Sequence, residues 1–130
     1  MACAETSHCQ EEAEMTARKN QYVYERMLRN VLPYVAPRGY TNVRADLPGQ
    51  EKPDAIGAHI PSISADGLIL EVETKDSLTS EETKIIWTEL ATHATNTASR
   101  FIIVAPKGLE DVAKKQLQDL QIVADVWTAA

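Results

Sequence analysis

The sequence predicts an α/β fold: a mixed β-sheet in three layers, flanked by helices on both faces. Three observations carry this. Short apolar or alternating stretches interleave with stretches of helical period in the order α-β-β-β-α-β-α-β. The early strands are separated by turn sequences, which make hairpins, and the later ones by whole helices, which make right-handed parallel crossovers. A chain of 130 residues, 44% of them hydrophobic, is long enough for one domain with its own core. The expected organisation is a polar, flexible N-terminal tail over 1 to 10 and a single domain over 11 to 130.

The elements follow in order. "EEAEMTARKNQYVYERMLRNVL" (11 to 32) has neither Gly nor Pro and crowds acidic residues at its start, where a helix dipole favours them. Val23, Met27 and Val31, with Tyr24, Leu28 and Leu32 beside them, form its apolar stripe. Arg18, Tyr22, Arg26 and Arg29 line up next to that stripe. Pro33, Pro37 and Gly39 end the helix. "YTNVRADL" (40 to 47) alternates weakly and predicts a first strand, and "PGQEKP" (48 to 53) is turn chemistry. "DAIGAHI" (54 to 60) predicts a second strand, with Ile56, Ala58 and Ile60 on one face. "SADG" (64 to 67) reads as a hairpin turn, and "LILEVET" as an antiparallel third strand. Thr79 and Glu82 have capping-box spacing and predict a helix from there to about Thr97. "RFIIVAP" (100 to 106) is almost wholly apolar, as a strand covered on both faces should be. A helix over about 109 to 120 and a last strand over 122 to 128 complete the chain.

Composition narrows the function classes. No run of about 18 apolar residues exists, so no membrane span is expected. The first twenty residues lack the apolar centre of a secretory signal, which makes the cytoplasm the expected compartment. Both cysteines, Cys3 and Cys9, lie in the polar tail with His8 between them. Their spacing fits no standard zinc site, and a plain tail is the simpler reading. A net charge of −6 argues against indiscriminate nucleic-acid binding but leaves room for a local basic face.

The chemistry concentrates in "GLILEVET" (67 to 74). Glu71 and Glu73 share a strand face, roughly 7 Å apart, with Ile69. Two like charges side by side on an otherwise apolar strand need something to offset them. Asp54 opens the expected second strand, the hairpin partner of the third, so three acidic side chains can converge at one sheet edge. A divalent Mg²⁺ or Mn²⁺ ion would relieve their repulsion and suits hard oxygen ligands. The plainer alternative is a solvent-open strand end with Glu71 and Glu73 paired to Lys75, Arg44 or Lys84.

"PD" (53 to 54) and "EVE" (71 to 73), set one hairpin apart within α-β-β-β-α-β, resemble the PD-(D/E)xK nuclease superfamily and its restriction-endonuclease-like fold. The resemblance spans nearly the whole domain but rests on three motif positions. It implies that Asp54 and Glu71 bind the metal. Glu73 stands where the family usually has a lysine and would orient or deprotonate the attacking water. The lysine's positive charge would then come from Lys75 or Lys84, and Glu25 on the first helix would be an outer ligand. The implied activity is a metal-dependent phosphodiesterase acting on DNA or RNA. Arg18, Tyr22, Arg26 and Arg29 would then touch phosphates, and a homodimer would serve two strands. The missing lysine, the acidity and the small size equally suit a catalytically inactive nuclease-fold module that binds protein or nucleic acid.

The remaining candidates read as structural. His59 and His93 have no catalytic pattern around them. "PKG" (106 to 108) lacks the spacing of a phosphate-binding loop, which counts against a small nucleotide-binding protein. Trp87 and Trp127 read as core or interface aromatics.

Overall fold

A computed structural model describes residues 19 to 130. Its elements are α1 (Gln21–Val31), two single 3₁₀ turns (Leu32–Tyr34 and Ala36–Arg38), β1 (Arg44–Ala45), β2 (Ile63–Ala65) and β3 (Leu68–Val72). Then come α2 (Glu81–Asn96), β4 (Arg100–Pro106), α3 (Glu110–Asp119) and β5 (Asp125–Ala129). The five strands form one mixed sheet in the order β1-β2-β3-β4-β5. The first three are antiparallel neighbours, and β3, β4 and β5 run parallel.

The period-two pattern separates two cores. Leu68, Leu70, Val72, Ile102 and Val104 face one way and pack with Tyr24, Met27, Leu28 and Val31 of α1. Ile69, Phe101, Ile103 and Ala105 face the other way and pack with Trp87, Leu90 and Ala94 of α2 and Ala113 and Leu117 of α3. One helix therefore covers one face of the sheet and two cover the other, the three-layer arrangement that alternating strand and helix periods imply.

Several boundaries differ from expectation. The first helix does not run unbroken from 11 to 32. Asn20 has an extended ψ of 115°, and its side chain accepts the amide N–H of Val23, an N-cap that starts α1 at Gln21. The tail, Arg18 and the rest of 11 to 18 lie outside the described residues. The expected second strand over 54 to 60 is a loop. Gly57 turns it with a φ of +63°, and Ile56 and His59 close a single bridge across the turn. The true hairpin partner of β3 is β2, whose Ala65 faces Leu68 around Asp66 and Gly67. The second helix is capped by Ser80, not Thr79: the Ser80 hydroxyl accepts the Thr83 amide N–H. The last strand begins at Asp125 rather than at 122.

Candidate functional site: a buried lysine between two glutamates

Glu71 is the penultimate residue of β3, and Glu73 follows immediately after the strand ends at Val72. Both are 0% exposed. They do share a side, and the group between them is Lys19. Its Nζ lies 2.9 Å from Glu71 Oε2 and 3.8 Å from Glu73 Oε1. It also donates to the carbonyl of Val72 and sits 4.6 Å from the centre of the Tyr24 ring. Lys19 immediately precedes the Asn20 cap, so the start of α1 delivers the ammonium to the end of β3.

Each glutamate has further partners. Glu71 Oε1 accepts the backbone N–H of Ser62 at 3.1 Å and its hydroxyl at 3.3 Å. His59 Nε2 lies 2.8 Å from Glu71 Oε2, and the His59 side chain is 18% exposed, which opens this end of the network toward solvent. Tyr24 donates its hydroxyl toward Ser62 Oγ at 3.0 Å and toward Asp46 at 3.2 Å. Glu73 Oε1 accepts the Ser77 hydroxyl at 2.6 Å, and Glu73 Oε2 accepts the Trp87 indole N–H at 2.9 Å. Trp87 is thus a core aromatic with a polar handle, as expected of a buried indole.

Electrostatics follow from this packing. Burial alone would push the Glu71 carboxyl up, but the Lys19 ammonium and His59 outweigh it, and the pKa is drawn down to about 2. The Tyr24 phenol is pushed far up by burial and by the negative charges of Glu71 and Asp46, so it stays a donor.

The other sequence-derived candidates lie apart from this pair. Asp54 is 94% exposed at its side chain and sits 3.4 Å from Arg44, which also pairs with Glu51. Arg44 and Asp54 line a depression of about 670 Å³ together with Ile69 and His93. Among the described residues, no three of His, Cys, Asp and Glu are grouped so as to hold a metal ion. Among the described residues, Asp54 stands apart at the surface, and the Lys19 ammonium lies between Glu71 and Glu73. Lys75 is exposed, and Lys84 pairs with Glu81 on its own helix at 2.9 Å. Glu25 accepts from Gln21 and lies 3.9 Å from Arg29 on α1. Tyr22, Arg26 and Arg29 are exposed, with the Arg26 guanidinium 5.8 Å from the Tyr22 ring.

Sequence reasoning missed Lys19, His59 as a partner of Glu71, and Ser62. Lys19 reaches Glu71 across 52 residues of chain, and no local pattern marks such a contact. Ser62 could have been found by continuing the hairpin: a turn at Asp66 and Gly67 places it opposite Glu71.

No family model, no curated protein and no solved structure matches this chain.

Proposed function

We propose that this chain is a non-catalytic module on a nuclease-like α/β framework, acting by binding rather than by cleavage. The observation that carries this reading is the Lys19 ammonium held between Glu71 and Glu73. A pair that would have to face a metal and a phosphodiester is instead turned inward and engaged by Ser62, His59, Ser77 and Trp87. The order of hairpin strands followed by helical crossovers supports the framework half of the proposal. The net charge of −6 and the Tyr22–Arg26 and Glu25–Arg29 contacts on α1 favour a protein partner over nucleic acid.

A second reading, a phosphodiesterase, has one specific support. Lys19 supplies beside Glu71 the amine that the motif lacks at Glu73. One experiment separates the two. Mg²⁺ and Mn²⁺ are titrated calorimetrically into the full chain, and branched and single-stranded DNA and RNA are incubated with it in the same metals. The module reading expects no saturable heat at millimolar metal and no cleavage. Saturable binding lost in Asp54→Ala, with cleavage lost in Lys19→Gln, overturns it in favour of the phosphodiesterase.

A further inference from the structure

β5 is the outer strand of the sheet, and its far side is open. Asp125 to Ala129 pair only with β4. The Ala129 carbonyl accepts the Lys107 N–H at 3.2 Å. Main-chain groups alternate sides along a strand, so Asp125, Trp127 and Ala129 bond inward to β4. The N–H and C=O groups of Val126 and Thr128 therefore point away from the sheet, and among the described residues no strand pairs with them. The opposite edge is blunted, because β1 has only two residues. β5 has five, without proline, lysine or a bulge, and Asp125 is tied to Arg100 at 2.6 Å. An open edge of this kind is a template for another strand.

A second feature lies against the same edge. Tyr34, Arg38, Trp127 and Thr128 line a depression of about 470 Å³ beside β5. Tyr34 is 65% exposed, although aromatic. The 3₁₀ turn Ala36–Arg38 ends at Gly39, whose φ is +93°, and the Arg38 guanidinium sits 4.5 Å from the centre of the Trp127 ring. Arg29, Arg44 and Arg100 each have a carboxylate partner. Arg38 has none among the described residues. The ring steadies its guanidinium without using the N–H donors, which leaves them for a carboxylate. Tyrosine, tryptophan and arginine are the residue types that carry most of the binding energy at protein interfaces.

We propose that β5 binds an extended acidic peptide of a partner protein as a further strand, with a carboxylate of that peptide on Arg38. Each half of the site selects one property of the occupant. The alternating N–H and C=O groups of Val126 and Thr128 are satisfied by another peptide backbone, not by a nucleic acid or a membrane. In antiparallel pairing Val126 and Thr128 take up the hydrogen bonds, and the residue opposite Trp127 shares its face of the sheet. An aspartate or glutamate there lies beside Arg38, and a neighbour two residues away reaches the Tyr34 depression. A second copy of the chain suits the edge less well. A two-fold axis at Trp127 would set Arg38 against Arg38, and the acid on β5 itself, Asp125, is already held by Arg100. The inference rests on the binding reading above and gives it a surface and a partner class.

The probe is the peptide acetyl-TVTETVT-amide, titrated to about 5 mM into the full isotope-labelled chain and followed by amide chemical shifts. Urea midpoints confirm the fold of each variant. Val126, Thr128 and the Trp127 indole N–H should shift together and saturate, with a dissociation constant on the order of 0.5 mM. Thr128→Pro, at an exposed edge position, removes an outward N–H, keeps the fold and should abolish the shifts. Arg38→Gln, and separately a peptide with Gln in place of its Glu, should each weaken binding about tenfold. Arg38→Glu should reverse the preference, taking a peptide with Lys at that place over the original. No shift at the highest concentration overturns the proposal, as do shifts that survive Thr128→Pro. Equal affinity for the Glu and Gln peptides overturns the role of Arg38. Concentration-dependent shifts at this edge without peptide, lost in Thr128→Pro, overturn the partner in favour of a second copy. The cleavage assay is read separately: cleavage overturns the binding reading, whereas a silent peptide without cleavage overturns only this surface.

Discussion

Removing the Lys19 ammonium would leave two acidic side chains that have no exposed surface through which to regain water. Lys19→Met, close in length and free of charge, should therefore destabilise the fold by roughly 3 to 5 kcal/mol in urea unfolding, the range for breaking a buried pair from one side. Adding Glu71→Gln should recover part of that loss; if the double variant is no more stable than the single, the two residues are not coupled. The pH dependence of Glu71 has a definite sign. Its folded pKa of about 2 lies below the ordinary glutamate value, so its contribution is present above about pH 4.5 and is lost as pH falls toward 2. Wild-type stability should drop by on the order of 3 kcal/mol more than that of Glu71→Gln across this window, measured by urea midpoints at stepped pH. Equal slopes would mean that Glu71 carries no ionised advantage in the fold. The sequence showed that Glu71 and Glu73 share a face and need a cation. It did not show which cation, because Lys19 is a neighbour only in three dimensions. The expected convergence of Asp54 depended on a strand over 54 to 60, which the chain does not form.

At the scale of elements, amphipathic period and turn chemistry placed every described helix and strand except one. "DAIGAHI" alternates as a strand should, but Gly57 takes a φ of +63° and the Glu89 carboxylate packs where a β-carbon on Gly57 would sit. Alternation alone does not reveal a tertiary neighbour that favours a turn. The strand's place goes to β2, whose three residues were too few to outweigh the reading of 64 to 67 as a turn. A finer competition occurs at the start of α2. Thr79 and Ser80 both precede acidic residues, and only geometry decides between them: Ser80 Oγ accepts the Thr83 N–H at 3.1 Å. Ser80→Ala should therefore lower stability by about 1 kcal/mol, whereas Thr79→Ala should stay within about 0.5. Equal losses at both positions would assign the cap to neither alone.

Across the whole molecule, stability should be graded from the centre of the sheet to its hairpin edge. In β4, Phe101 to Ala105 are all buried and the strand is paired on both sides, so its amides can be released only by opening both cores. At the opposite end, β1 has two residues and one neighbour, and the loop that follows it returns to the sheet through few backbone bonds, among them Ala45 N–H to Glu51 and Asp46 N–H to Ser62. Native-state hydrogen exchange should show Ile102 to Val104 and Leu70 to Val72 exchanging only with global unfolding. Arg44, Ala45 and the loop over 48 to 60 should exchange through smaller openings. One boundary between these classes is diagnostic. The Ser62 amide is bonded to Glu71, so although it lies beside the loop at the hairpin edge it should follow the core. In Lys19→Met its protection should fall toward that of the loop while β4 stays slow. If Ser62 exchanges with the loop in the wild type, the buried network is not part of the cooperative core, and the fold rests on its two apolar layers alone.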